Sequence, residues 1–221
     1  MALILGAVSQ KGGVGKSTIA RLVAREYAAA GWNVKIADLD TSQATSYHWQ
    51  SRRLHHKVEP VIAVEQFPSV DHALKFAANY DLMVFDGAPH ATAATLKIAQ
   101  QSDLVVLPTG LALDDLEPTI RLAHELKKHI DKSNIALALC RVGESDSETQ
   151  EAGDYIISAG YFLLSGAIPE KIAYRRASDT GRTATETPYK SLNRKADELV
   201  QAIVDRIHQL TSKTRKKGTV Q

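Results

Sequence analysis

A chain of 221 residues, 44 % hydrophobic and 24 % charged, has the size and balance of one globular domain with at most a small appendage, which excludes collagen-like, mucin-like and wholly disordered classes. Twenty-seven basic against 25 acidic residues leave a net charge of +2, too near balance for a histone-like coat on DNA. A single cysteine, Cys140, excludes a disulfide framework and a multi-cysteine zinc site, and no apolar run approaches the ~20 residues of a membrane span.

The start of the chain, Met1 to Gly6, has no basic region and turns polar at Ser9-Gln10-Lys11, so it does not read as a signal peptide and the cytoplasm is expected. Leu3 to Val8 reads as an apolar strand running into a glycine-rich turn. Ser17 to Ala30 reads as a helix, with Ile19, Leu22, Val23, Tyr27 and Ala30 at helical spacing and Gly31 as its stop. Val34 to Ala37 is a short strand ending at Asp38, and a polar, histidine-containing segment from 41 to 57 is partly helical. Val61 to Val64 is a further strand candidate and Val70 to Ala78 a short helix. Leu82 to Asp86 is a strand closed by Gly87-Ala88-Pro89.

The second half keeps the rhythm. Ala91 to Gln101 is expected as helix and Leu104 to Leu107 as a strand that Pro108 ends. Leu113 to Ile130 is an amphipathic helix, with Asp114 and Asp115 at its positive end and Lys127, Lys128 and His129 at its negative end. Ile135 to Cys140 is a strand, 143–151 a polar loop, Ala152 to Ala159 a weak helix and Phe162 to Leu164 a strand. Leu192 to Leu210 is a strong helix with Ala196, Leu199, Val200, Ile203, Ile207 and Leu210 on one face. Strands that are apolar throughout rather than alternating are covered on both faces. The expected fold is therefore α/β, a mostly parallel sheet flanked by helices, as one domain over residues 1–210 with a basic tail at 211–221.

Between the first strand and first helix stands Gly12-Gly13-Val14-Gly15-Lys16-Ser17-Thr18. Glycines there let successive backbone N–H groups turn inward around phosphate oxygens, and the helix N-terminus adds its dipole. Lys16 reaches the β- and γ-phosphates and the Ser17 hydroxyl is placed for Mg²⁺. The usual eight-residue pattern opens with glycine where this chain has Gln10, and a second lysine, Lys11, heads the loop. Asp38 and Asp40, two apart at a strand end, present carboxylates toward one crevice. Asp86, at the end of a later strand, can hold a Mg²⁺-bound water or bind the ion directly.

This loop resembles the deviant Walker A motif of the ParA/MinD family of ATPases, and most closely that of the small ParA-type plasmid partition proteins. The resemblance implies a P-loop NTPase of the SIMIBI kind. It implies that Lys11 crosses a dimer interface to the partner's phosphates, that Asp40 orients the attacking water, that Asp38 lies close to Mg²⁺, and that Asp86 is the Walker B acid. Thr41 departs from the family's proline after the second aspartate, while Gln43 fits. Gly87-Ala88-Pro89 replaces a Thr-Pro-Pro-like continuation and keeps its second proline. Arg141 matches a position beside the base, where a guanidinium stacks on adenine or faces solvent, and Pro169 with Glu170 matches the loop that completes the base pocket. No Asn-Lys-x-Asp element occurs, so ATP is expected over GTP.

The implied protein is an ATP- and Mg²⁺-dependent homodimeric switch in plasmid or DNA partition, cytoplasmic and nucleoid-associated. It would work with a ParB-like centromere-binding partner and with nonspecific DNA, and not on a membrane. The candidates for DNA contact are Arg175, Arg176, Lys190, Arg194 and Lys195, with Lys213, Arg215, Lys216 and Lys217 behind them. The rival readings are an accessory ATPase of conjugative or T-DNA transfer and a non-catalytic DNA-binding scaffold. His48, His55 and His56 have no carboxylate or cysteine at a metal spacing, and no serine has a triad context.

Overall fold

A computed structural model describes residues 2–90 and 92–218, with the side chains of Thr92 and of 213–218 outside the description. The strands are β1 (Leu3–Ala7), β2 (Val34–Asp38), β3 (Ala63–Gln66), β4 (Leu82–Asp86), β5 (Leu104–Thr109), β6 (Ile135–Val142) and β7 (Phe162–Pro169). The helices are α1 (Lys16–Ala29), α2 (Thr45–His55), α3 (Val70–Leu74), α4 (Thr92–Gln101), α5 (Leu113–Leu126), α6 (Asp146–Ser158), α7 (Ile172–Asp179) and α8 (Lys190–Gly218). The strands form one seven-stranded sheet in the order β3-β2-β4-β1-β5-β6-β7, parallel at every pairing.

Successive strand residues feed opposite cores, which is why the strands are apolar throughout. Leu82 and Val84 of β4 join α1, Trp49 of α2 and α8 on one face. Met83 and Phe85 join α3, α4, α5 and α6 on the other. β1 lies between β4 and β5, so chains leaving the central strands diverge at its carboxyl end, where parallel α/β sheets open a crevice. Register sets the acids there: Asp38 of β2 and Ala7 of β1 both stand opposite Asp86 of β4.

Several expectations change. Pro108 does not end β5; it lies within it, opposite Ala138. Pairing of β5 with β1 stops at Val106, so beyond that point a missing N–H is tolerated. The segment 143–151 is not all loop, because α6 begins at Asp146, and the Ser145 hydroxyl caps it by accepting from the Glu148 N–H at 3.1 Å. α5 ends at Leu126, and Lys127 to His129 form turns beyond it. β3 starts later than expected, β7 runs on to Pro169, and α7 was not foreseen. The backbone of α8 continues through Gly218, past the expected boundary at 210, while the side chains of Lys213, Arg215, Lys216 and Lys217 lie outside the described residues.

α2 is fastened to the far end of the chain by Arg53, whose side chain is 1 % exposed. Its guanidinium donates to the carbonyls of Glu59, Pro60 and Gly181 and to both oxygens of Glu186, at 2.8 to 3.0 Å. Gly181 sits at φ +74° against the Arg53 backbone, where any Cβ would overlap it. Burial alone would raise the Glu186 pKa; hydrogen bonds from Arg53 and the Thr183 N–H outweigh it and hold the carboxyl below its usual 4.5. Replacing Glu186 by Gln leaves a buried guanidinium uncompensated, at a cost of about 3–5 kcal/mol. Urea denaturation at pH 7 measures that loss. Because the folded pKa is depressed, the contribution is present above pH 4.5 and lost below it, so the gap between wild type and variant narrows as pH falls through that range.

Candidate nucleotide site

The loop from Lys11 to Gly15 leaves β1 and turns into α1 through two left-handed glycines, Gly13 at φ +76° and Gly15 at φ +116°. At Gly15 a Cβ would stand 3.1 Å from the Cβ and Sγ of Cys140 at the end of β6. Cys140 is therefore the floor on which the turn rests; burial pushes its thiol up to about 12 and leaves it a packing group. No side chain caps α1 and no acid occupies its first turn, so the helix keeps unspent N–H groups and an uncompensated positive end. Val14 is buried, Gly12 and Thr18 are exposed, and Ser17 is half-buried at the helix start.

Lys16 is 7 % exposed and its Nζ donates to the Lys11 carbonyl at 3.2 Å. Burial lowers its pKa, with Asp86 and Asp40 acting against that. Lys11 points elsewhere. Its Nζ pairs with the carboxylate of Asp115 in the first turn of α5 and donates to the Asp114 carbonyl at 3.3 Å, and the side chain remains 45 % exposed.

Asp38 and Asp86 are both buried at the strand ends. Burial raises the Asp38 pKa and the neighbouring Asp86 raises it further, against three backbone donors. Those donors are the N–H groups of Asp40 at 3.1 Å, Ser46 at 2.9 Å and Tyr47 at 3.1 Å, so Asp38 caps the first turn of α2 from a distance. Asp40 is half-buried and folds its own loop, its Oδ1 accepting from the Ser42 hydroxyl at 2.6 Å and the Gln43 N–H at 3.1 Å. Burial raises the Asp86 pKa as well, with Ser46, Arg21, Ser17 and Lys16 pulling it down. One of its oxygens accepts from the Ser46 hydroxyl at 2.6 Å; the other, Oδ1, is buried and has no hydrogen-bond partner.

An unpartnered buried carboxylate oxygen beside a helix-terminal hydroxyl is a set of hard oxygen donors that suits Mg²⁺. Unspent N–H groups with Lys16 suit the phosphates that would carry the ion. The residues present therefore fit both groups. Beside the loop, a cavity of about 270 Å³ lies between Thr18, Arg141, Pro169, Glu170, Tyr174 and Ser178. Arg141, at φ +59°, donates through Nε to Glu170 at 2.8 Å and through Nη1 to the Gly13 carbonyl at 3.4 Å, joining the segment after β7 to the phosphate loop.

Of the basic candidates for DNA contact, Arg175, Arg176, Lys190, Arg194 and Lys195 are exposed. Arg175 lines the cavity beside Tyr174 and Ser178, whereas Arg176 lines a cleft with Ile172 and Tyr189. Arg194 lines a cleft with Glu26, Asp197, Glu198 and Asp205, Lys195 lines one with Lys171 and Glu198, and Lys190 starts α8. Residues that sequence reasoning missed include Asp115, Ser46 and Arg21. For Arg21 a signal existed: an arginine inside Ile19-Ala20-Arg21-Leu22-Val23-Ala24, where every neighbour is buried. Among the described residues no helix is long and apolar enough to cross a membrane.

Residues 5–184 match the family model described as the CobQ/CobB/MinD/ParA nucleotide binding domain. No curated protein matches the sequence. Among solved structures, the chain is similar to the cell division ATPase MinD of Pyrococcus furiosus, at 18 % identity and a TM-score of 0.64 over 93 % of this chain and 99 % of that one. It is similar to the Cyanothece McdA–ATP complex at 13 % identity and a TM-score of 0.67, over 91 % and 96 %. It is similar to a ParA family ATPase of Chlorobium tepidum at 18 % identity and a TM-score of 0.63, over 91 % and 99 %. At such identities the likeness carries the fold.

Changing Gly15 to Ala forces a side chain into a left-handed turn pressed on Cys140. The backbone strain alone costs about 1–3 kcal/mol. Thermal melts with and without inorganic triphosphate should show a lower Tm and no stabilisation by the anion, whereas the wild type is stabilised.

Proposed function

The chain belongs to the CobQ/CobB/MinD/ParA family of nucleotide-binding domains, and on that premise we propose that it is a Mg²⁺- and ATP-dependent dimeric switch that hydrolyses ATP in the service of DNA segregation. The observation that carries this reading is one buried lysine and three acids gathered at one uncapped helix end, with a second lysine held outward at the head of the loop. Lys16 is buried beneath the phosphate loop, Lys11 stands exposed at its head, and Asp38, Asp40 and Asp86 close the crevice.

Each residue then has a task. The N–H groups of residues 12–18 and the Lys16 ammonium hold the triphosphate against the α1 dipole. Ser17 and the Oδ1 of Asp86 would hold Mg²⁺ or its water, and the ion would supply charge neutralisation for the phosphates. Asp38 anchors α2, and thereby the loop bearing Asp40, which orients the attacking water. Arg141 and Pro169 bound the base. Lys11 leaves Asp115 and reaches the phosphates held by a second copy, so that dimerisation depends on ATP. The doubled basic surfaces then bind the phosphates of nonspecific DNA, and a ParB-like partner at a centromere stimulates turnover, with the protein gathered on the nucleoid.

Sedimentation with a labelled duplex of arbitrary sequence, under ATP, ADP or no nucleotide across a salt series, tests this reading. The wild type is expected to dimerise and to bind DNA only with ATP, with affinity falling steeply as salt rises. Lys16→Ala should bind no nucleotide. Lys11→Ala should bind ATP yet stay monomeric, and Asp40→Ala should dimerise but hydrolyse at least about tenfold more slowly. A wild type that binds DNA equally in all nucleotide states breaks the proposed coupling.

A further inference from the structure

One buried cation has no part in the assignment above. Arg21, on the second turn of α1, is 7 % exposed and lies over the Trp49 ring. Its Nε donates to the Ser46 hydroxyl oxygen at 3.0 Å and its Nη1 to the Ser178 hydroxyl on α7 at 3.3 Å. With Arg21 occupying a lone pair of Ser46 Oγ, the hydroxyl proton is directed to Asp86 Oδ2, 2.6 Å away. Ser46 cannot drift, because its own N–H is held by Asp38 at 2.9 Å. The result is an ordered row, Ser178, Arg21, Ser46, Asp86, running from the wall of the cavity beside the phosphate loop to the metal-side acid.

We propose that Arg21 and Ser46 are positioning residues that fix the orientation of the Asp86 carboxylate, committing Oδ2 to Ser46 and leaving Oδ1 free for Mg²⁺ or its water. The inference rests on the Mg²⁺–ATP reading and deepens it by naming what prepares the acid. Without the Ser46 hydroxyl, Asp86 loses the donor that holds Oδ2, and its orientation is no longer fixed from that side. Through Ser178 the same guanidinium ties that orientation to α7, so occupation of the cavity and of the metal position are linked by one side chain.

The test is binding of a fluorescent ATP analogue, titrated with Mg²⁺ and repeated in EDTA, with circular dichroism melts establishing that each variant is folded. For Ser46→Ala the Mg²⁺ concentration at half-maximal enhancement should rise about tenfold, the effect of one hydrogen bond to a charged group. Affinity in EDTA should stay within about twofold, because no phosphate contact is touched. Arg21→Lys, which keeps the buried charge but cannot span two hydroxyls, should show the same shift. The double variant should add little to either, as for residues acting in one row. An unchanged Mg²⁺ midpoint in either folded variant overturns the proposal, as does an equal loss of affinity in Mg²⁺ and in EDTA. A wild type that binds no ATP in either medium removes the Mg²⁺–ATP reading itself, a different and recognisable failure.

Discussion

The parallel register of β2 and β4 forces two carboxylates, Asp38 and Asp86, into neighbouring positions away from water. Burial raises the cost of ionising both, Asp86 adds to that of Asp38, and the groups around them answer that cost. The first turn of α2 spends two N–H groups on Asp38. Ser46, backed by Arg21, answers half of Asp86, and Lys16 approaches from the phosphate loop. What remains is one oxygen of Asp86 without a hydrogen-bond partner. A buried carboxylate oxygen of that kind is a hard donor of the sort a divalent cation suits.

The same constraint explains how parts far apart in sequence are tied together. α2 is capped by Asp38 from β2, clamped by Arg53 to the segment before α8, and bonded through Ser46 to β4 and α1. The Asp40 loop lies between β2 and this anchored helix, closed on itself by Ser42 and Gln43. It is short and half-exposed between anchored ends. On the opposite side, Lys11 is held by α5. The phosphate loop thus lies between one lysine committed inward and one held outward.

The parts legible in the sequence were those encoded by neighbours in the chain. The glycine pattern from Gly12 to Lys16 sits between a strand and a helix, and acids end strands at Asp38 and Asp86. Strands buried on both faces lose their alternation, so a covered parallel sheet could be read from composition alone. The start of α6 was also encoded, as Ser145-Asp146-Ser147-Glu148, but its polar first turns hid it within a loop. Pro108 misled because proline was weighed without knowing that β5 has a partner on one side only at that point. Ser46, Arg53 and Glu186 were beyond reach, and of Arg21 only its place in an apolar run was legible. Their meaning lies in contacts up to 161 positions apart, and a lone arginine or serine carries no periodic signal. α7 failed for another reason: at eight residues, Ile172–Asp179, it spans too few turns for a helical period to stand out.

The account stands on the claim that the uncapped α1 terminus and the free oxygen of Asp86 together hold a metal-bound triphosphate. A crystal structure grown with ATP and Mn²⁺ in place of Mg²⁺, the ion located by its anomalous scattering, tests this most directly. The account predicts the triphosphate wrapped by residues 12–18, with the ion on the Ser17 hydroxyl and within one water of Asp86 Oδ1. Asp86 Oδ2 should still be bonded to Ser46. A nucleotide bound away from the loop, or an ion ligated without Ser17 and remote from Asp86, would contradict it.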